Sequence, residues 1–407
     1  MNFLFAWRYF KAKKTTNAIN IIAWISIVAI IIGTASLILV LSVFNGFEGL
    51  VKSLYSSFYP DLRISPATGK EMVLTKEQIA KLQSLKGIHA VALVVEEKAL
   101  LINGDYQVNA YVKGVDDQYN RVSGVKDHII RGAFDIGDKE NPKLVLGDGI
   151  ENAIGVQSDR NLAPVTLYTG RKGSIDLQNP LNSVSSGLAN TAGTFRIQQD
   201  FDNRYVLTNI DFIKELLGMA EDNYSSAEIA LQPGTDPGVL KNIVEQTLGN
   251  LYTVQTRYQQ NASLYGVMRL EKWVIYAILS LILIVAAFNM IGALTMLVLE
   301  KKNDISVLHA LGGDKAFIQK IFLSEGLLLA LIGGGTGMFL ALTIALLQIH
   351  YKLIPLQGGS FLIDYFPVQL SVGDFLLVGA TILVIALLAS WIPARKAANQ
   401  QFLLREE

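Results

Sequence analysis

The 407-residue chain contains no cysteine, which excludes disulfides, thiolate metal sites, a cysteine nucleophile and the lipidated cysteine of a bacterial lipoprotein. Only four histidines occur, His89, His128, His309 and His350, and their wide separation in sequence argues against a zinc site. Charged residues are scarce at 17% and the formal net charge is zero, so no overall field points to a nucleic-acid partner. No G-x-x-x-x-G-K-[ST] segment exists, so the chain lacks the loop of backbone amides that cradles ATP phosphates. If ATP drives this protein, another subunit hydrolyses it. Apolar residues instead make up 51% of the chain and the mean hydropathy is +0.36, the composition of a protein part membrane and part soluble.

The apolar residues are gathered into runs. Residues 18–44 and Trp273 to Leu299 are each uncharged over 27 positions. As helices they rise about 40 Å, more than the roughly 30 Å of bilayer hydrocarbon. Two further runs extend over about 318–349 and 375–392, the first of them rich in glycine. The first run is too long for a cleaved signal peptide, and it follows Arg8, Lys11, Lys13 and Lys14, with Trp7, Tyr9 and Trp24 at or near the interface. Lys301, Lys302, Lys315 and Lys320 follow the second run, and Arg395, Lys396 and Arg405 follow the fourth. A topology of four spans places all three basic clusters on one side, with both termini cytoplasmic by the positive-inside rule.

The sequence therefore divides into a cytoplasmic segment 1–17, a span 18–44, a soluble domain 45–270, a span 271–299, a cytoplasmic surface segment 300–316, a span 317–349, a linker 350–372, a span 373–393 and a tail 394–407. The expected fold is a membrane protein of four transmembrane helices, one plus three, with a large α+β domain between the first and second spans. Within that domain Thr75 and Gln78 form a capping box opening a helix that stops at Gly87. Strands are expected at 61–65, 89–95, 98–103, 107–114, 165–169 and 194–199, with a helix around 147–154. A strand-to-helix unit at 204–218, a strand at 227–231, a helix at 236–249 and a strand at 251–256 would join the early strand and helix in one layer, interrupted by a β-rich insertion. Residues 170–193, rich in Gly, Ser and Asn, read as an exposed loop or arm.

Several residues point to chemistry or packing. Residues 303–311 alternate charged and apolar types at helical spacing, and an apolar face of Ile305, Leu308 and Leu311 is expected to lack a partner within the chain, which favours a docking surface over a solvated connector. Gly333 and Gly337 fit the small-xxx-small pattern, serving either packing within the subunit or dimerisation. Glu325, one or two turns into the third span, is either an interfacial residue that snorkels or a functional one. Asn289 at mid-span is expected to make a helix-helix hydrogen bond. The spans otherwise lack ionisable residues near their middles, which argues against an ion-coupled carrier.

Four segments together carry a family resemblance. They are Leu41-Ser42-Val43-Phe44-Asn45-Gly46-Phe47-Glu48, Arg269-Leu270-Glu271-Lys272, Val285-Ala286-Ala287-Phe288-Asn289, and Glu300-Lys301 followed by Asp304-Ile305-Ser306-Val307-Leu308. Over nearly the whole chain the sequence resembles the transmembrane subunit of the bacterial lipoprotein-releasing ABC transporter, the LolC/LolE family. The spans and surface helix are shared with the wider superfamily of macrolide-export and cell-division permeases. The ending Pro393-Ala394-Arg395-Lys396-Ala397-Ala398 and Phe402-Leu403-Leu404-Arg405 resembles the family's but is slightly short and lacks its usual second proline.

The resemblance implies a non-catalytic permease of the inner membrane with its large domain in the periplasm. Two permease subunits, the same or related chains, would sit above a dimer of ABC ATPase subunits that bind ATP and Mg, while this chain binds no cofactor or metal. A triacylated lipoprotein would enter from the outer leaflet, among membrane lipids, and be passed to a periplasmic carrier by motion transmitted through the long first and second helices. The ATPase-coupling role maps onto Asp304, Ile305, Ser306, Val307, Leu308 and Leu311, and the lipoprotein cavity onto Val43, Phe44, Phe47, Met268 and Ile275. Residues 170–193 hold the position of a carrier-binding arm found in one type of subunit. Two other functions share these mechanics: a signalling permease that activates a periplasmic cell-wall hydrolase, and an efflux permease in a tripartite pump.

Overall fold

The computed structural model describes residues 17–160, 163–171, 184–356 and 363–399. The basic N-terminal residues Arg8 to Lys14, the middle of the 170–193 segment and the tail beyond Asn399 lie outside the described residues. The described residues form two compact units, one within 17–50, 266–356 and 363–399, the other within 51–265.

Among the described residues, four helices are long and apolar enough to cross a membrane. They are α1 (Asn17–Phe58), α6 (Ala262–Glu300), α8 (Lys315–Tyr351) and α9 (Val372–Ala398), the numbering allowing for the helices of the domain described below. The uncharged run ends at Phe44, yet α1 continues for 14 further residues, and α6 begins well before Trp273. With 42 and 39 residues these two helices are about 60 Å long, twice the hydrocarbon thickness.

The first unit holds its helices together through small residues. A Cβ on Gly333 would come within 2.9 Å of Ile30, and one on Gly337 within 2.7 Å of the Ile31 carbonyl and the Thr34 Cβ, so these glycines let α8 lie directly on α1. On another face of α8 a Cβ on Gly326 would strike the Ser390 hydroxyl at 1.7 Å. Beside it, Glu325 is only 2% exposed, which removes the snorkelling reading.

The second unit is α+β. Strands β1 (Leu62–Pro66), β3 (Ile88–Asn103), β11 (Ser226–Leu231) and β12 (Tyr252–Thr256) form an antiparallel layer in the order β12-β1-β11-β3. Helices α2 (Lys76–Ser84) and α5 (Pro237–Leu248) make the two crossovers, which gives a split βαβ arrangement of ferredoxin type. The Thr75–Gln78 capping box that starts α2 is present, and Asp236 caps α5 with Pro237 in the first turn.

The β-rich insertion closes on itself. The second half of β3 pairs with β4 (Tyr106–Val115) on one edge and with β7 (Val165–Gly170) on the other. The circuit continues through β9 (Tyr205–Asn209), β6 (Lys143–Gly147) and β8 (Val184–Phe195) back to β7. Two shorter strands, β2 (Met72–Val73) and β10 (Asn223–Tyr224), pair apart, and β5 (Ile129–Gly132) edges β8. Helices α3 (Asp148–Ala153) and α4 (Ile210–Leu217) complete the domain.

Two expectations are corrected here. The strands expected at 89–95 and 98–103 are one 16-residue strand. Glu96 and Glu97 break the apolar pattern without breaking the ladder, because Glu96 lies opposite Lys113 in register and 3.7 Å from Arg63. The segment 170–193 is not loop throughout, since 184–195 is β8 and the strand expected at 194–199 ends at Phe195. Its Gly and Ser content has a packing cause at Gly187, where a Cβ would lie 2.9 Å from the Phe212 ring of α4.

The domain end of α1 is fastened by both hydrogen bonds and rings. The Ser57 carbonyl, one of the orphan acceptors at a helix end, receives Gly124 N–H at 2.9 Å and the Ser123 hydroxyl at 3.1 Å. Phe58 is buried, stacked on Phe201 with centroids 4.4 Å apart. Beneath it lies Lys113, whose Nζ is 4.9 Å from the Phe58 centroid, 2.9 Å from Glu228 and 3.2 Å from the Tyr119 hydroxyl. Burial is the largest influence and pushes the lysine pKa down, but Glu228, Tyr119 and Glu96 together outweigh it and the net shift is upward, so the buried ammonium stays charged.

Two predictions follow from the buried charges. Lys113→Met leaves Glu228 buried and unpaired and should cost about 3–5 kcal/mol, whereas Lys113→Met with Glu228→Leu should recover most of it; thermal melts of the full chain compare them. Asp202 accepts the Ile197 N–H at 2.8 Å, and burial pushes its pKa up to about 6. A raised folded-state pKa stabilises fully below the unfolded value near 4, and that contribution is lost as pH rises through about 6. Asp202→Asn keeps the acceptor oxygen and should flatten this part of the stability profile, by roughly 1–3 kcal/mol between pH 4 and 7.

Candidate functional site

Lys301, Lys302, Lys315, Arg395 and Lys396 lie at one end of the bundle, and at its other end three spans meet in a polar cluster. Asn45 of α1 donates from Nδ2 to Asp374 of α9 at 2.5 Å. Lys272 of α6 donates to Asn45 Oδ1 at 2.9 Å and lies 3.2 Å from the Asp374 carboxylate. Asn45 and Asp374 are buried, at 9% and 6% exposure, so the ammonium and the amide answer a carboxylate that burial alone would disfavour. Asp374 also sits in the first turn of α9, where the helix dipole favours negative charge. The chain leading into α9 crosses α1 closely, with Gln369 N–H donating to the Ser42 carbonyl at 2.9 Å. A Cβ on Gly46 would lie 2.2 Å from the Pro367 oxygen, which explains glycine after Asn45. Asn45 and Lys272 lie in two of the quoted segments, but Asp374 lies in none and no periodicity links the three, and sequence reasoning missed the clasp.

At the other end of the bundle, α7 (Lys302–Ala310) joins α6 to α8. Gly312, with φ of +91°, ends the turn, and Asp314 caps α8 by accepting Phe317 N–H at 2.8 Å. Ile305 is not on a free apolar face. It is 2% exposed, within the apolar cluster of Val298, Ile318, Phe322 and Ala397, because helical spacing turns it toward the spans. Leu308 is half-buried, while Val307 and Leu311 are exposed at 59% and 79%. Asp304 is exposed and pairs with Lys301 at 3.3 Å, and the Ser306 hydroxyl donates back to the Lys302 carbonyl at 3.1 Å. The surface open to a partner is thus Asp304, Val307 and Leu311, with Ile305 as its anchor.

Val43, Phe44, Phe47, Met268 and Ile275 are all half-buried. Phe47 packs edge-on against Phe366 with centroids 5.9 Å apart. The more exposed apolar surface lies elsewhere on α6, where Leu270, Val274, Ile278, Leu281, Val285 and Phe288 recur every three or four residues along one face. That spacing was the available signal, hidden by the uniformly apolar composition of the helix. Asn289, beside this stripe, is exposed, and no hydrogen bond within the chain engages it among the described residues. No helix-helix bond to it forms within this chain because α6 turns this face away from the other described spans.

These features define a membrane protein of four spans whose α+β domain is inserted between the first and second. Residues 23–247 match the MacB-like periplasmic core domain and residues 276–402 the FtsX-like permease C-terminal region. The first match covers more than half of the chain, which belongs to the family built on the MacB-like periplasmic core domain. Lipoprotein-releasing system transmembrane protein LolC of Neisseria meningitidis serogroup B is 26% identical over 407 residues, covering 97% of this chain and 96% of that protein. LolE of Haemophilus influenzae is 28% identical over 418 residues, covering 98% and 97%. The pyoverdine export ATP-binding/permease protein PvdT of Pseudomonas syringae is 23% identical, covering 97% of this chain and 57% of that one.

The clasp is open to a charge test. Lys272→Glu faces Asp374 with a second carboxylate and should lower stability by about 2–4 kcal/mol in detergent melts. Adding Asp374→Lys should restore part of the loss, and unchanged melting of Lys272→Glu would show that the clasp carries no weight.

Proposed function

We propose that the chain is the permease subunit of an ABC transporter that extracts lipoproteins from the outer leaflet of the inner membrane and passes them to a periplasmic carrier. The observation that carries this reading is the exposed apolar stripe of α6, on a helix about twice as long as hydrocarbon requires. Such a stripe suits acyl chains, and the half-buried Val43, Phe44, Phe47, Met268 and Ile275 would flank them. The exposed Asn289 suits a second permease subunit, since an amide facing hydrocarbon lacks the partner that a neighbouring helix supplies. The cargo follows from the two nearly full-length relatives, both lipoprotein-releasing system transmembrane proteins.

ATP and Mg would be held by a separate ATPase dimer docked on Asp304, Val307 and Leu311. That face would lie in the cytoplasm with both termini, because Lys301, Lys302, Lys315, Lys320, Arg395 and Lys396 flank the spans at that end. Motion at α7 reaches α6 across only one residue, Lys301, and Ile305 couples it to the apolar core of the spans.

Reconstitution with the ATPase, a triacylated lipoprotein and a soluble carrier tests the reading. ATP-dependent release is expected, and its absence with a competent ATPase would overturn it. Val307→Glu with Leu311→Glu should weaken ATPase co-purification at least 10-fold and reduce release in parallel, and full release after deletion of residues 304–308 would sink the docking assignment.

A further inference from the structure

At the end of the bundle where α6 and α9 finish, a groove of about 670 Å³ opens between them. Its walls include Val298 and Leu299 of α6 and Ile392 and Pro393 of α9, and Arg395 and Lys396 stand along it. Leu299 and Ile392 are 57% and 62% exposed, so the apolar walls are open rather than closed by this chain. Arg395 and Lys396 are exposed too, and neither has an ion-pair partner among the described residues. Exposed Trp391 lies one turn before Arg395, at the level where aromatic side chains mark the membrane interface. The groove therefore runs from hydrocarbon depth to the headgroup layer, with its apolar part inside and its cations at the boundary.

We propose that this groove binds one anionic phospholipid, its phosphate between Arg395 and Lys396 and the upper part of an acyl chain along Val298, Leu299 and Ile392. The volume is of the size that holds a small ligand or a headgroup with its first methylenes. A soluble subunit could meet the two cations but could not reach the apolar walls at hydrocarbon depth, whereas a lipid offers both chemistries in one molecule. Basic recesses between membrane helices recognise acidic headgroups in this way. The site rests on the chain spanning a membrane and is independent of the cargo proposed above.

The test uses the full chain, without ATPase or lipoprotein, in nanodiscs of phosphatidylcholine with or without phosphatidylglycerol, followed by native mass spectrometry after release into detergent. One retained phosphatidylglycerol is expected in preference to phosphatidylcholine. Arg395→Gln with Lys396→Gln should weaken retention about 30-fold, the combined effect of two cations near a charged surface. Leu299→Trp, which fills the groove without touching its charge, should also displace the lipid. Lys315→Gln with Lys320→Gln removes the same charge from exposed positions at the same end and should leave retention unchanged. Equal loss in that control pair, equal retention of the two lipids, or retention unchanged in both groove variants would overturn the proposal. Lipid retention and lipoprotein release are read separately, so failure of one is distinguishable from failure of the other.

Discussion

Inside hydrocarbon no water is available to a peptide N–H or carbonyl, and each backbone group must find its partner within its own helix. That constraint explains why the spans are unbroken over 27 to 42 residues, and why specific polar chemistry is placed at their ends. Hydrophobic burial cannot hold helices together where lipid is as apolar as leucine, so close approach must do it. Gly333 and Gly337 against Ile30, Ile31 and Thr34 are the form this takes here. The polar clasp of Asn45, Lys272 and Asp374 works on the other principle, in which a few charge-assisted hydrogen bonds fix three helices where the bundle meets the interface.

What could be read in the sequence was whatever local chemistry decides. The Thr75–Gln78 box opens its helix through hydrogen bonds between near neighbours, and the helix expected from 236 begins at the cap Asp236. Four apolar runs were legible for the same reason, since length and lack of charge suffice. What was hidden depends on residues far apart in sequence. The strand 184–195 reads as loop because Gly187 makes room for Phe212 of another element, and Glu96 reads as a strand break because its partners Arg63 and Lys113 lie on other strands.

The candidate site shows the same division. Helical periodicity placed Ile305, Leu308 and Leu311 on one face, but it could not say whether that face looks outward, and the α6–α8 core takes Ile305 while leaving Leu311 exposed. In a uniformly apolar helix, periodicity gives no answer at all. The exposed stripe from Leu270 to Phe288 is chemically indistinguishable from the buried Leu283, Ala287 and Met290 that alternate with it.

A helix can carry displacement only as far as its packing holds it, and α1 is gripped in both units. In the first, Gly333 and Gly337 of α8 lie on Ile30, Ile31 and Thr34, and Leu283 of α6 lies where a Cβ on Gly33 would be, at 2.8 Å. In the second, the Ser57 carbonyl is bonded twice and Phe58 sits in a nest of Phe201, Tyr205 and the Lys113 ammonium. Burying that ammonium beside Glu228 is weak evidence for stability, because an apolar pair of equal volume is often as good. It does fix geometry, since Lys113 must meet Glu228, Tyr119 and the Phe58 ring together and any slip of the helix end breaks several contacts at once. A buried charge network thus holds the Ser57–Phe58 end of α1 in one position within the domain, where a purely apolar contact would let it slide.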